Sequence, residues 1–141
     1  MIVVAVALLD YRNAILIQQR PPGKSLANLW EFPGGKVEPG ESHRAALVRE
    51  LAEELKIRVA EADLEPVAFV EDSRPAGETL TLLLYLCRRW QGEVTAAHAT
   101  AMAWIAASDL AGHDLVPLDV ALAERLASEL TGAVSRASEP T

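Results

Sequence analysis

Three glutamates are spaced so that a helix would present them on one side. When residues 44–55 are placed on a helix, the rotation of about 100° per residue brings Glu50, Glu53 and Glu54 into a single arc. Such acidic pairs lie three or four residues apart, and each destabilises an isolated helix by about 0.2–0.5 kcal/mol. A hard divalent cation such as Mg²⁺ or Mn²⁺ would reverse this repulsion, because both prefer carboxylate oxygens. The spacing therefore fits either a metal site or a solvated acidic surface.

The neighbours of these glutamates favour the metal site. An apolar stripe on another side of the helix would anchor it in the core. Arg49 is placed to orient the carboxylates as an outer partner of a metal, and Glu38 and Glu41 lie close enough to reach the same site. The preceding turn, residues 33–35, contains two glycines, which permit close approach of the backbone to a ligand. The apolar stripe consists of Leu47, Val48, Leu51 and Leu55.

A sheet of six predicted strands must position this helix. The first strand is a continuous apolar run typical of burial on both faces, and the turn after it predicts a hairpin with the second. Ser42 is the expected N-cap of the glutamate-bearing helix, which ends near Leu55. A second, amphipathic helix follows residues 116–119 and ends near Leu130, and the tail, residues 131–141, is expected to fray. Strands interrupted by helices predict an α/β (α+β) fold with a mixed sheet. The predicted strands are Ile2–Leu9, Ala14–Gln18, Leu29–Phe32, Pro66–Asp72, Thr79–Cys87 and Met102–Ile105.

The composition is that of an acidic globular domain. The chain has 141 residues, of which 50% are hydrophobic and 23% are charged, and this size predicts one domain. Its 13 Lys and Arg against 20 Asp and Glu give a net charge of −7, which argues against duplex nucleic acid and anionic membranes as partners. The single cysteine, Cys87, favours a reducing, cytoplasmic compartment. The apolar start is too short to span a bilayer, and no basic segment precedes it, so no signal peptide is expected.

Residues 35–57, GKVEPGESHRAALVRELAEELKI, resemble the Nudix box, GX5EX7REUXEEXGU with U an aliphatic residue. Lys56 is the one departure, since the family has a glycine there. That glycine commonly ends the helix in a left-handed conformation, so Lys56 is expected to adopt it at a cost of about 1–2 kcal/mol. The matching residues are Gly35, Glu41, Arg49, Glu50, Leu51, Glu53, Glu54 and Ile57.

The resemblance extends beyond the box to most of the chain. The segments ILIQQRPPGKSLANLWEFPGG, LTLLLYLCRRWQGE and VPLDVALAERL are similar to the MutT-like branch of (deoxy)nucleoside triphosphate pyrophosphohydrolases. This similarity implies the Nudix α/β/α sandwich, in which a mixed β-sheet lies between helices and a loop–helix–loop carries the catalytic motif. It also implies a single Nudix domain over residues 1–130.

The resemblance assigns roles to individual residues. Glu50, Glu53 and Glu54 would hold Mg²⁺ or Mn²⁺ together with the carbonyl of Gly34, and Arg49 would belong to the catalytic group. One of the three carboxylates would act as the base toward the attacking water, and the sequence leaves open which one. A nucleotide is the expected partner, and the positions that would bind it are Arg20, Glu31, Phe32 and Asp119.

For several of these positions the sequence leaves a plainer role open. Arg20 fits a surface position at a strand end as well as a phosphate contact, and Phe32 fits the core as well as a nucleotide pocket. Asp119 fits the N-cap of the last helix as well as recognition of the base. His98 stands where many relatives carry an acidic residue, and a solvated loop histidine is the alternative to a metal or proton-transfer role.

The function implied is metal-dependent hydrolysis of a (deoxy)nucleoside triphosphate to the monophosphate and pyrophosphate. A candidate substrate is 8-oxo-dGTP, which would assign the chain to nucleotide-pool sanitation and DNA repair. The alternatives are a Nudix hydrolase of ADP-ribose or a dinucleoside polyphosphate, and a non-catalytic Nudix sensor or binding module. Retention of all three box glutamates favours an enzyme. The sequence gives no indication of a protein partner.

Overall fold

The computed structural model describes residues 1–73, 75, 77–96, 99 and 101–138, with side chains described as far as Thr131. These described residues form two helices, α1 (His43–Glu54) and α2 (Pro117–Ser138), together with seven strands and two short 3₁₀ helices, Glu61–Asp63 and Ala107–Gly112. The strands are β1 (Ile2–Leu8), β2 (Ala14–Gln19), β3 (Trp30–Glu31), β4 (Gly34–Lys36), β5 (Leu64–Ser73), β6 (Thr79–Cys87) and β7 (Ala101–Ala106).

The strands form two sheets. One has four strands in the order β4-β1-β6-β5 and is mixed, because β1 pairs with β6 in parallel and with β4 antiparallel. The other has three antiparallel strands in the order β3-β2-β7. The predicted mixed α+β architecture is therefore confirmed, and its strands are divided between two sheets.

The prediction that β1 and β2 pair as a hairpin is wrong, because the two strands belong to different sheets. The turn exists, because the side chain of Asp10 accepts hydrogen bonds from the backbone N–H groups of Arg12 and Ala14 at 2.9 Å. Beyond the turn, the bridge between Leu9 and Ile15 is the one β-bridge between the two strands among the residues that the structure describes. Because β6 and β4 already occupy both edges of β1, β2 pairs with β3 and β7 instead.

Strand β1 separates two halves of the core, as its unbroken apolar sequence predicts. Its alternate side chains point to opposite faces of the sheet. Val4, Val6 and Leu8 pack into a cluster that contains Leu47 and Leu51 of α1. On the other face, a second cluster contains Leu122 and Leu126 of α2 with alternate β1 residues. The mixed sheet thus lies between the two helices.

Helix α1 begins and ends as the sequence predicts. The Ser42 hydroxyl accepts a hydrogen bond from the Ala45 N–H at 3.1 Å, which satisfies one of the free N–H groups of the first turn. At the other end Leu55 is the C-cap, and Lys56 follows with φ of +60°. The predicted left-handed conformation of Lys56 is confirmed, and it turns the chain sharply away from the helix.

Most predicted strands have ends that differ from the observed ones by one or two residues, and two further predictions differ more. The Pro33–Gly34–Gly35 segment was expected to be a turn that ends a strand, but Gly34–Lys36 forms β4 against β1. The sequence predicts that helix α2 ends near Leu130, but its backbone continues to Ser138, because Gly132 costs a helix only about 1 kcal/mol and no proline interrupts residues 118–138. The single domain over residues 1–130 with a frayed tail remains a prediction. Within the described ranges, neither helix has the length and hydrophobicity needed to cross a membrane.

Candidate active site

Two glycines allow β4 to lie against both β1 and α1. A Cβ atom on Gly34 would collide with the backbone carbonyl of Val4. A Cβ atom on Gly35 would collide with the carboxylate of Glu50. Only glycine leaves this room, so the box carboxylate of Glu50 can lie directly over the backbone of β4.

Arg49 of α1 binds several acidic side chains at once, two on the helix and one just before it. Its guanidinium binds both oxygens of Glu41, with Nε donating to Oε2 at 2.6 Å and Nη2 donating to Oε1 at 2.9 Å. Nη1 donates to Glu50 Oε1 at 3.0 Å and to Glu53 Oε2 at 3.4 Å, and Nη2 also donates to the Lys36 carbonyl at 3.0 Å. These hydrogen bonds lower the pKa of Glu41 to about 2 and raise the pKa of Arg49 above its ordinary value. Arg49 therefore holds the acidic group in a charged, ordered arrangement.

Glu54 has a different environment, away from Arg49. Its Oε2 atom accepts hydrogen bonds from Gln18 Nε2 at 3.2 Å and from the Gly34 N–H at 3.3 Å. Burial raises the pKa of Glu54 to about 7, against the opposing effect of these two donors, and nearby Glu50 and Glu31 raise it further. Burial also raises the pKa of Glu50. Both box carboxylates are thus placed where their negative charge is costly without a cation.

The residues present fit a hard divalent cation by their chemistry. Glu50 offers carboxylate oxygens over the backbone of Gly35, and Glu54 offers them beside the backbone of Gly34. Glu53 lies on the same helix but is largely exposed, and its carboxylate bonds to Arg49. In the part of the chain that the structure describes, no three ligating side chains already form a ready-made metal cluster. The arrangement brings Glu50 and Glu54 to one side of β4, and Glu53 would have to turn from Arg49 to join them.

A cavity of about 480 Å³ extends from Glu54 and Gly34 to a second group of predicted site residues. Phe32 and Asp119 lie at that end, and each is only 4% exposed. Asp119 is the third residue of α2, and its Oδ2 accepts a hydrogen bond from the Phe32 N–H at 2.9 Å. The N-cap interpretation of Asp119 is therefore wrong, because the carboxyl binds a neighbouring strand end rather than the first turn of its own helix.

Burial also controls the charge of Asp119. It raises the pKa of this carboxyl to about 7, nearby Glu31 raises it too, and the Phe32 N–H and the Arg20 charge oppose the shift. A protonated carboxyl can donate a hydrogen bond as well as accept one, whereas an ionised carboxyl can only accept. Near neutral pH, Asp119 can thus present either pattern to the cavity.

Arg20 lines the cavity between these two ends. Its Nη1 donates to Glu31 Oε2 at 3.0 Å, and its Nε donates to the Ser25 carbonyl at 2.9 Å. Three-quarters of each side chain in the Arg20–Glu31 ion pair is covered. Arg20 is thus partly buried just after the end of β2, and both its predicted roles, a phosphate contact and a surface residue at a strand end, stay predictions. His98 lies outside the described residues, so its predicted roles stay open.

The sequence interpretation missed Gln18. This residue is 8% exposed, lines the cavity and donates a hydrogen bond from its amide to Glu54. The signal was the alternation along β2, where Leu16, Gln18 and Arg20 fall on the same face of the strand. A glutamine that continues the buried face of an apolar strand requires a hydrogen-bonding partner, but the sequence does not show which residue supplies it.

Comparison with known proteins agrees with this geometry. A model of the NUDIX domain matches residues 1–128. A Mycobacterium tuberculosis protein named putative 8-oxo-dGTP diphosphatase 2 is 42% identical over 121 residues, covering 86% of this chain and 84% of the relative. The CTP pyrophosphohydrolase of Escherichia coli is 37% identical over 124 residues, covering 88% of this chain and 90% of the relative. The solution structure of the E. coli ORF135 protein superposes with a TM-score of 0.78 at 34% identity, covering 98% of this chain and 95% of that one.

The family model and the relatives match the parts of the chain that build the site. The match spans β1 through most of α2, and it includes β4, α1 and both ends of the cavity. Glu41, Arg49, Glu50, Glu53 and Glu54 keep the spacing of the box. The chain therefore belongs to the Nudix hydrolase family.

Proposed function

We propose that this Nudix hydrolase cleaves a nucleoside triphosphate to the nucleoside monophosphate and pyrophosphate with the help of Mg²⁺ or Mn²⁺. The observation that carries this proposal is the cavity, which joins the box carboxylate Glu54 to the buried pair Phe32 and Asp119. One end suits a metal-bound phosphate chain, and the other suits a nucleobase. A nucleotide that spans both ends is the ligand that uses the whole cavity.

At the phosphate end, the cation would be held by Glu50, Glu53 and Glu54 with the carbonyl of Gly34. When bound, such an ion neutralises phosphate charge, polarises the phosphoryl oxygen and lowers the pKa of water. Arg49 contributes by holding Glu50 and Glu53 through its guanidinium. One of the box carboxylates would take the proton of the attacking water.

Between the two ends, Arg20 would bind the phosphate chain. Its guanidinium already faces the cavity and is held by the ion pair with Glu31 and by the Ser25 carbonyl. A guanidinium carries five N–H donors in a fixed plane, so it can bind Glu31 and a phosphate oxygen at the same time. The ion pair would thus orient Arg20 before the nucleotide arrives.

At the base end, Phe32 and Asp119 would recognise the nucleobase. Phe32 supplies an apolar wall, and the carboxyl of Asp119 supplies hydrogen bonds to the base edge. The two named relatives act on different bases, a guanine derivative and a cytosine, according to their names. We propose 8-oxo-dGTP as the first candidate substrate and CTP as its competitor, and the cytoplasm as the compartment, where damaged nucleotides would be removed before DNA synthesis.

A comparison of kcat/KM over a substrate panel tests this proposal. The panel contains 8-oxo-dGTP, dGTP, CTP, ADP-ribose and a dinucleoside polyphosphate, each measured with Mg²⁺, with Mn²⁺ and with excess chelator. A triphosphate should lead, pyrophosphate should be released, and the chelator should abolish turnover. A tenfold lead for ADP-ribose or the dinucleoside polyphosphate, about 1.4 kcal/mol, would overturn the triphosphate assignment. Nucleotide binding without turnover would identify a sensor instead.

A further inference from the structure

Gln18 and Asp119 are the buried polar side chains among the residues that the structure describes. Gln18 lies on β2, outside the box, yet its Nε2 donates to Oε2 of Glu54 at 3.2 Å. The Gly34 N–H donates to the same oxygen at 3.3 Å. A neutral amide and a backbone N–H from two different strands thus converge on one oxygen of a box carboxylate.

The register of β2 explains why Gln18 reaches Glu54. Its Cα pairs with Glu31 of β3 and Met102 of β7, and residues paired in this way project to the same face of the sheet. Leu16, two residues earlier on that face, packs in the cluster that contains α1. The register of β2 therefore places Gln18 on the face that packs against α1, as it does Leu16.

We infer that Gln18 is a positioning residue that orients the Glu54 carboxylate toward the bound cation, an inference that rests on the proposed function. An ionised carboxylate accepts hydrogen bonds only, so the amide must turn its Nε2 rather than its carbonyl toward Glu54. Both donors described here end on Oε2 of Glu54. The plane of the carboxylate is thereby fixed, and Oε1 is the oxygen that is left for a cation.

Direct binding of Mn²⁺ tests this role without depending on turnover. Gln18→Met keeps the length of the side chain and removes its donor. Free Mn²⁺ is counted by electron paramagnetic resonance during a titration with Mn²⁺ alone. The dissociation constant should rise about tenfold, because loss of an outer partner of a metal ligand typically weakens binding 10–100-fold. An affinity within about twofold of the parent chain would overturn the inference.

Gln19→Met is the matched control. Gln19 is the next residue on β2 and also lines the cavity, but its Nε2 donates to the Asn28 carbonyl at 3.0 Å rather than to Glu54. It should leave the Mn²⁺ affinity within about twofold of the parent chain, since it has no contact with Glu54. An equal loss of affinity in both variants would show a general effect of altering β2 and would also overturn the inference.

Two further measurements separate positioning from folding and from the proposed function. Gln18→Asn keeps an amide but shortens the side chain by one methylene, so it should also weaken Mn²⁺ binding while retaining the circular dichroism spectrum of the parent. The loss of activity in Gln18→Met should shrink as Mn²⁺ is raised to saturation, whereas a disrupted cavity would leave the loss unchanged. If the parent binds Mn²⁺ but hydrolyses no triphosphate, the proposed function fails and the Mn²⁺ titration still decides the role of Gln18. If the parent binds no Mn²⁺, both fail.

Discussion

The two ends of the cavity are built from different kinds of sequence. The metal end uses residues that are close along the chain, since Gly34 and Glu54 are separated by only 20 positions. The base end joins Phe32 to Asp119, which are 87 positions apart. A local motif can therefore identify the chemistry of the enzyme, while the choice of base depends on how distant elements pack.

The two ends also manage negative charge differently. At the metal end, Arg49 binds Glu41, Glu50 and Glu53 and keeps an acidic group ordered. At the base end, the neutral N–H of Phe32 is the hydrogen-bond partner of the Asp119 carboxyl among the described residues, and burial raises the pKa of this carboxyl to about 7. At the metal end, the positive charge of Arg49 compensates carboxylates that stay negative. At the base end, a carboxyl that can be protonated or ionised suits recognition of a base.

Removing a carboxylate from the metal end should have the largest effect. Glu54→Gln should lower kcat/KM about 1,000-fold or more, equivalent to about 4 kcal/mol, because a metal ion supplies several kcal/mol of transition-state stabilisation. The melting temperature should not fall, because the substitution also removes a partly buried charge. Pyrophosphate release and thermal unfolding measure the two quantities. Exposed Glu124 on α2 offers the control Glu124→Gln, which should behave as the parent, and a fully active Glu54→Gln would contradict the role of this end.

Removing the positive centre of the same end should have the next largest effect. Arg49→Met keeps the length of the side chain but leaves Glu41, Glu50 and Glu53 without their shared donor. We expect kcat/KM to fall about 10–100-fold and the Mn²⁺ requirement to rise, as for other outer partners of metal ligands. The melting temperature should fall as well, since the acidic side chains then repel one another. If only stability changed and activity at saturating Mn²⁺ stayed at the parent level, Arg49 would be structural alone.

At the base end, Asp119→Asn should change the pH dependence of stability. Burial raises the pKa of Asp119 from 3.8 to about 7, so the neutral acid stabilises the fold fully below about pH 4, and this contribution is lost as the pH rises through about 7. A pKa shift of one unit corresponds to about 1.4 kcal/mol of unfolding free energy. Half of the pKa shift of Asp119 therefore corresponds to about 2 kcal/mol. Because asparagine does not ionise, the variant should gain about 2 kcal/mol relative to the parent between pH 4 and pH 8.

Urea unfolding of both chains at pH 4 and pH 8 measures this difference. Arg20 and Glu31, the charged side chains that face Asp119, are present in both chains, so the comparison isolates the carboxyl of Asp119. Parallel pH profiles for the parent and Asp119→Asn would show that Asp119 is ionised throughout this range. The proposed difference between the two ends, a carboxyl of variable protonation at one and permanently charged carboxylates at the other, would then be wrong.

The contrast between the ends also explains what the sequence could predict. Helix α1, its Ser42 cap and the grouping of the three glutamates follow from local spacing, and the left-handed Lys56 follows from the resemblance to the Nudix box. The structure has the helix, the cap and the left-handed residue. Strand β4 could not be predicted in this way, because two glycines have low strand propensity and form a strand only where β1 offers a free edge. The contact of Asp119 with Phe32 depends on the packing of α2 against the sheet, which no local pattern encodes.

A substitution at the end of α1 tests whether the metal end is as local as this comparison implies. Lys56 has φ of +60° and is exposed, so its left-handed backbone is strained without any contact in the site. Lys56→Gly should relieve that strain and stabilise the fold by about 0.5–1 kcal/mol, after the entropy that glycine adds to the unfolded chain. Lys56→Ala removes the same side chain but keeps a Cβ, so it should give no such gain. Urea unfolding distinguishes the two, and kcat/KM should be unchanged in both, because neither alters Arg49 or the three carboxylates. A change in kcat/KM with Lys56→Gly would mean that the geometry of the carboxylates depends on how the helix ends.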